Sequence, residues 1–333
     1  MERGETGRHP WMVHFLAAGV LVAVATAAFL VIWAREAFQR PGPLEAEATL
    51  VLSQGLGLDA IARRLANHGI INDPLIFKVG VRQAGTHQRL RAGEYAFPAG
   101  ISAHGVMSML VAGRTVARRL TVPEGLTSVE VIGLVTHVEG LSGPPPTPPE
   151  EGSLLPETYH FNYGDSRSGV VGRMADAMSD TLAELWLQRD DGLPYANPRE
   201  ALVLASIVEK ETALADERGR VAAVFVNRLR RGMRLQSDST VVYGLTLGRG
   251  PLDRPLTRAD LQTPSPYNTY LIDGLPPGPI ANPGRESIAA ALNPIDSDEL
   301  YFVADGTGGH AFARNLKDHN RNVARWRKHQ REK

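Results

Sequence analysis

The apolar positions of this chain follow three different patterns. From Trp11 to Trp33 they run nearly unbroken over 23 residues, with one histidine, His14, and no formal charge. As a helix rising about 1.5 Å per residue, the stretch covers roughly 35 Å, enough to cross a bilayer. Its two tryptophans stand at the ends, where indoles prefer the membrane interface. A cleaved signal peptide is the competing reading, with Ala25, Ala27 and Ala28 as a cleavage-like site, but the apolar run is long for a signal h-region. The pattern therefore predicts a tail over 1–10, a transmembrane helix over 11–33 and a linker over 34–46 containing Pro41 and Pro43. Arg3 and Arg8 on one side balance Arg35 and Arg40 on the other, so the positive-inside rule leaves the orientation open.

The next pattern is periodic and occurs three times. Leu52–Leu65 reads LSQGLGLDAIARRL, Phe97–Leu110 reads FPAGISAHGVMSML, and Val122–Val135 reads VPEGLTSVEVIGLV. Each predicts a strand, a turn and a helix. Gly55, Gly100 and Gly125 make the turn, and Gly57, Ser102 and Thr127 occupy the helix N-cap. Ile61, Val106 and Val131 open a buried stripe that Leu65, Leu110 and Val135 continue at i+4. Pro74–Val81 predicts a further helix between the first two units. Residues 47–118 are thus a small α+β module, and its first unit, Leu52 to about Leu110, resembles a LysM-like glycan-binding module. Residues 119–150 hold the third unit and the proline run Gly143–Gly152 (GPPPTPPEEG), which cannot be helix or central strand and reads as a hinge.

The third pattern, residues 151–325, mixes helices with polar loops and predicts an α+β domain, followed by a tail over 326–333. Asn197, Pro198 and Glu200 form a strong helix start, with a cap, a proline in the first turn and a capping-box acid. The helix Ala201–Ala213 ends in Glu209, Lys210 and Glu211. Residues two apart point about 200° apart on a helix, so the two carboxylates cannot share a face. The stripe Leu204, Ile207, Val208 leads to Glu211, making it the carboxylate set against apolar surface. Burial there raises its pKa, as a general acid at neutral pH requires. The bland alternative is a solvated helix end. A second helix is predicted over Asp216–Arg231. Met233–Gly244 packs Gln236, Ser237, Asp238, Ser239 and Thr240 between apolar flanks, as a helix cap, a groove lining or both. Tyr267–Gly284 predicts an ordered loop, and Leu300–Phe312 a hairpin around a Gly-rich turn.

Composition narrows the chemistry. Among 333 residues there is no cysteine, which excludes a disulfide scaffold, a thiolate zinc site and a cysteine nucleophile. Basic and acidic residues number 36 each, so nothing predicts a nucleic-acid partner. No His or carboxylate grouping has metal spacing, and no Gly-rich loop has the Lys-Ser/Thr of a P-loop. Lys210 without a phosphate-cradling loop is a poor pyridoxal site. No cofactor is expected.

Four segments together, Ala205–Ala213 (ASIVEKETA), Val224–Gly244 (VFVNRLRRGMRLQSDSTVVYG), Tyr267–Gly284 (YNTYLIDGLPPGPIANPG) and Tyr301–Phe312 (YFVADGTGGHAF), resemble the endolytic murein transglycosylases, the MltG/YceG-like family, over about residues 47–325. The resemblance implies a single-pass inner-membrane enzyme with a cytoplasmic N-terminus, facing the cell wall beside peptidoglycan synthases. It implies cleavage of the β-1,4 bond between N-acetylmuramic acid and N-acetylglucosamine of nascent strands, leaving 1,6-anhydro ends and ending elongation. It also implies that the second glutamate of the EKET motif, Glu211, is catalytic. Glu157, Gln236, Asp238 and Asn268 are the candidates for lining the groove. Glu157 stands where the family usually has Asp, Leu155 where it tends to have an aromatic residue, and Ser239 where Pro is common. Two other readings stay open: a hydrolytic muramidase using Glu157 or Asp238 as second carboxylate, and a non-catalytic wall-binding scaffold.

Overall fold

The computed structural model describes residues 10–331, with side chains from His14 onward. The expected 1–10 tail up to residue 9, with Arg3 and Arg8, the Trp11 side chain, and residues 332–333 lie outside the described residues. The fold is α+β, and the chain divides into two compact units, Met1–Arg118 with Asn162–Gly164, and Arg119–Phe161 with Asp165–Lys333.

In the first unit, α1 (Pro10–Gln39) is one helix long and apolar enough to cross a membrane. Phe15, Leu21, Phe29 and Leu30 are exposed on it, as suits a helix whose solvent is lipid rather than water. The helix continues through 34–39, part of the stretch expected as linker, because Phe38 is an anchor. Its ring packs against Gly80, leaving no room there for a Cβ, and edge-on against His104. Then follow β1 (Ala48–Leu52), α2 (Leu58–Asn67), α3 (Pro74–Gln83), β2 (Gly93–Phe97) and α4 (Ala103–Ala112). β1 and β2 pair antiparallel, Ala48 opposite Phe97 and Leu52 opposite Gly93. Leu50, Leu52, Ile61, Leu65, Phe77, Tyr95, Phe97 and Val106 close one core.

β3 (Ala117–Thr121) pairs with β4 (Thr158–Asn162). The second unit continues with α5 (Ser128–Thr136), α6 (Arg167–Leu187), α7 (Pro198–Glu211), α8 (Ala215–Arg230), α9 (Asp238–Thr246) and α10 (Arg285–Leu292). The antiparallel hairpin β5 (Tyr301–Ala304) and β6 (His310–Ala313) precedes α11 (Leu316–Arg331), which runs through 326–331 of the expected tail. One core surrounds α7, α8 and α10, with Leu204, Ile207, Phe225 and Ile288 buried. Another joins Leu120, Val131, Val135 and Leu141 to Leu154, Phe161 and Met174, so the strand–turn–helix of 119–141 packs into this unit's core, while 142–150 runs over the surface. The proline run is tied down as well. Glu151 accepts hydrogen bonds from Ser128 N at 2.8 Å and from the Tyr243 hydroxyl at 3.3 Å; burial nonetheless leaves its pKa raised.

The three strand–turn–helix units form as their pattern dictates. Gly55, Gly100 and Gly125 have φ of 84°, 67° and 75°, the left-handed region that side chains resist. Gly57, Ser102 and Thr127 are the three N-caps, and Thr127 with Glu130 makes a full capping box. All six stripe residues are buried.

Candidate functional site

The site starts at the end of α7. Asn197 Oδ1 accepts from Glu200 N at 3.0 Å, and Glu200 accepts in return from Ala196 N at 2.8 Å, which fixes where the helix begins. Ala201–Val208 are all buried. The helix is therefore enclosed on every side, and the single apolar stripe read from sequence is not what selects between its glutamates. The selection comes from the last turn, which leaves the core with its two acids pointing apart. Glu209 Oε2 accepts from Gly284 N at 3.0 Å, at the N-cap of α10, where a helix dipole favours an anion. Lys210 Nζ donates to Gly125 O at 3.0 Å.

Glu211 turns into a cavity of about 450 Å³ that it shares with Arg228, Gln236, Asp238, Tyr270, Tyr301 and His319. Its Oε1 accepts from the hydroxyls of Ser237 and of Ser239, the latter at 3.1 Å, and the two hydroxyls are 2.7 Å apart. Oε2 has no hydrogen-bond partner among the described residues, and it is not sealed from the cavity. Burial raises the Glu211 pKa; the two serine hydrogen bonds pull it down, the nearby Asp238 raises it, and His310 lowers it. Ser237 sits at the N-cap of α9 yet makes no capping bond, because its hydroxyl is committed to Glu211. Thr240 Oγ1 instead donates to Ser237 O at 2.7 Å and bonds Thr269 Oγ1 at 2.8 Å. This ties the serine segment to the Tyr267–Gly284 loop.

Of the four groove candidates, two line the cavity beside Glu211. Gln236 is exposed there with a left-handed φ of 52°, held by its N–H to Thr269 O at 3.1 Å. Asp238 accepts from the Tyr270 hydroxyl at 2.6 Å. Asn268 is fully buried. Its Nδ2 donates to Leu261 O and Thr263 O at 3.1 and 2.9 Å, and its Oδ1 accepts from Tyr270 N at 3.0 Å, so it shapes the loop that presents Tyr270. Glu157 is exposed on a strand lead-in, its backbone carbonyl accepting from Val122 N at 3.0 Å and its carboxylate from Thr158 N at 3.3 Å; it is not among the cavity walls.

Sequence reading missed Arg228, Tyr270, Tyr301 and His319 as cavity residues. Arg228 carried a signal: it follows Val221 at i+7 and Val224 at i+4 along the buried side of α8. The others had none beyond their motifs. His310 is also near: its N–H donates to Glu217 Oε1 at 2.9 Å and its Nδ1 contacts Glu217 Oε2 at 2.6 Å. Ser239, whose hydroxyl bonds Glu211, lines a second cavity of about 330 Å³ with Thr127, Glu130, Lys210 and Tyr243. Among the described residues no cluster suits a metal ion. The arrangement can deliver a proton from Glu211 Oε2 to an acceptor in the cavity and take one back.

The family model for the YceG-like family matches residues 50–325. The chain is 30% identical over 301 residues to a protein of Bacillus subtilis named endolytic murein transglycosylase, covering 81% of this chain and 82% of that one. A Streptococcus pneumoniae protein of the same name is 30% identical over 324 residues; the match covers 83% of this chain and spans 58% of the pneumococcal protein's length. The crystal structure of a YceG-like protein from Listeria monocytogenes superposes with a TM-score of 0.51 at 30% identity, covering 83% of this chain and 99% of that one.

Proposed function

This chain belongs to the YceG-like family, and from that premise we propose that it is a membrane-anchored lytic transglycosylase acting inside peptidoglycan strands, with Glu211 as its only proton-transfer group. The observation that carries the reading is the Glu211 carboxyl: held by two hydroxyls at Oε1, free at Oε2 toward the cavity, and raised in pKa by burial.

The protonated Glu211 gives its proton to the glycosidic oxygen as the bond from muramoyl C1 breaks, the electron pair leaving with the N-acetylglucosamine O4. The muramoyl 2-acetamido oxygen supports the positive charge at C1. The sugar's own 6-hydroxyl then adds to C1 and its proton returns to the Glu211 carboxylate. The 1,6-anhydro ring closes, the acid is restored and no water is used. One carboxyl suffices for this sequence, whereas a hydrolytic glycosidase uses two. Serine hydroxyls suit a group that must be acid and then base, because a hydroxyl rotates to donate or accept. A second cavity, lined by the Ser239 that bonds Glu211, supports cleavage within a strand rather than at an end.

The strand–helix–helix–strand order of the first unit, with β1 and β2 antiparallel, supports a LysM-like glycan-holding role. The substrate implies that α1 anchors the chain with its N-terminus in the cytoplasm and the Glu211 unit outside. Mass spectrometry of digested peptidoglycan tests the chemistry: anhydro ends are expected, reducing ends would indicate hydrolysis, and neither would leave a binding scaffold. Protease added to intact spheroplasts should remove the large domain, and full protection of it overturns the orientation.

A further inference from the structure

Arg228 is a buried cation, 7% exposed, with no carboxylate bonded to it among the described residues. Nε donates to Leu300 O at 2.7 Å and Nη1 to Leu235 O at 2.7 Å, with longer approaches to Arg234 O and Gln236 Oε1. These bonds hold the guanidinium plane fixed, 5.2 Å from the Tyr301 ring. Nη2 has no acceptor and is not sealed from the cavity. Burying an ionised group is costly and is ordinarily offset by an opposite charge bonded to it; here backbone carbonyls hold the guanidinium, the Glu211 carboxyl, not bonded to it, and the Tyr301 and Tyr270 hydroxyls in the same cavity offset part of the cost, and burial still lowers the Arg228 pKa.

A second group on the same wall is also unsatisfied. His319 stacks on Tyr301 at 5.1 Å between ring centres, lines the cavity, and has its Nδ1 buried without a partner. The open Nη2 of Arg228 lies in the cavity that holds Glu211, and the His319 ring, stacked on the same tyrosine with its Nδ1 sealed, walls it on that side. A rigid guanidinium recognises a planar, electron-rich oxygen better than a hydroxyl. In a strand of alternating N-acetylglucosamine and N-acetylmuramic acid, hydroxyls and acetamido groups occur on both sugars. The lactyl ether on O3 belongs to the muramoyl residue alone. Its carbonyl bears the stem peptide or, once that is removed, an ionised carboxylate.

We propose that Arg228, with His319 beside it, is the binding subsite for the lactyl carbonyl group of a muramoyl residue. This fixes which sugar is presented to Glu211. The inference rests on the proposed function and gives it a register: the cut falls at a muramoyl C1 because a muramoyl substituent is what the cavity wall holds.

The test uses full-length Glu211→Gln protein in detergent, so that ligands are bound and not consumed. Calorimetric affinities are measured for three oligosaccharides of equal length: a peptide-bearing muramoyl oligomer, the same oligomer stripped to the lactyl carboxylate, and an oligomer of N-acetylglucosamine alone. Both muramoyl ligands are expected to bind at least about tenfold tighter than the third, and Arg228→Met to erase that gap while leaving the third unchanged. Equal affinity of the two muramoyl ligands assigns Arg228 to the carbonyl oxygen they share. A salt-sensitive preference for the stripped one assigns it to the carboxylate. If Arg228→Met fails to fold, Arg228→Lys, which keeps the charge but not the fork, should shrink the gap at least about threefold. No gap in the parent protein, an unchanged gap in the lysine variant, or an equal loss for all three ligands in a folded methionine variant overturns the subsite. Each of these leaves release of anhydro ends by the wild type, and so the proposed reaction, to stand on its own measurement.

Discussion

The three strand–turn–helix units and the Glu211 cavity are built in opposite ways. Each unit is complete within about fourteen consecutive residues: a left-handed glycine, an N-cap and an i, i+4 pair of buried side chains. The cavity draws on α7, α8, the lead into α9, the Tyr267–Gly284 loop, β5 and α11, and of its polar groups only Gln236 and Asp238 are neighbours in the chain. The same local device therefore occurs three times as scaffold, while the chemistry depends on one assembly of distant segments. The third unit connects the two levels: its Gly125 carbonyl receives Lys210 and its Thr127 hydroxyl donates to Gly248 O at 2.7 Å.

The largest expected effect comes from deleting that third unit. A fragment of residues 151–333 loses Leu120, Val122, Val131, Ile132 and Val135, all buried in the core with Leu154 and Met174. At about 1.5–3 kcal/mol per buried side chain the loss exceeds the stability of an ordinary domain, so the fragment should give no cooperative melt, whereas 119–333 should. A cooperative melt for both would make the third unit a mere connector.

Next is Glu211→Gln, expected to cut the rate of anhydro-end release by at least about a thousandfold, roughly 4 kcal/mol. Because the folded-state pKa of Glu211 lies above its unfolded value, the folded protein binds the extra proton, and stability falls as pH rises from the ordinary carboxylate range to the folded pKa. The variant should thus unfold at a higher temperature than wild type at neutral pH, and lose this advantage below about pH 4. Glu209→Gln removes charge from the α10 N-terminus and should retain most activity; the two glutamates exchanging these outcomes would reverse their assignment.

Ser237→Ala removes a hydrogen bond that lowers the Glu211 pKa. The pKa should rise, and the alkaline limb of kcat/KM, where the acid is lost, should move up by about half to one pH unit, the equivalent of one hydrogen bond of about 1 kcal/mol. An unmoved limb would detach the serines from proton transfer. The smallest effect is Thr127→Ala, which removes the capping box of α5 and should lower stability by about 1 kcal/mol in denaturant melts. Gly57 offers no capping side chain, so its replacement by Ser tests whether the first unit gains what the third would lose.

What the sequence by itself determined are the features set within one or two helical turns. They are the apolar α1, the three units down to their caps and left-handed glycines, the Asn197 start of α7, and the divergence of Glu209 from Glu211. Backbone sterics, capping and side-chain periodicity act over that range, so these features are written in adjacent letters. Only the tertiary structure decided that α7 is buried all round over 201–208, that Phe38 roots α1 in a core and that the third strand–turn–helix unit joins the core of the second compact unit. It also decided that Asn268 is a buried strut while Arg228, Tyr301 and His319 face Glu211. Burial and desolvation depend on which segments come to surround a group, and segments about a hundred residues apart carry no mark of each other in their own patterns. The most consequential case is Ser237. The sequence reads its cluster as a helix cap at Asp238 or Ser239 or a groove lining; in the fold Ser237 takes the N-cap position, and the arrival of Glu211 beside it turns that hydroxyl from the helix to the acid.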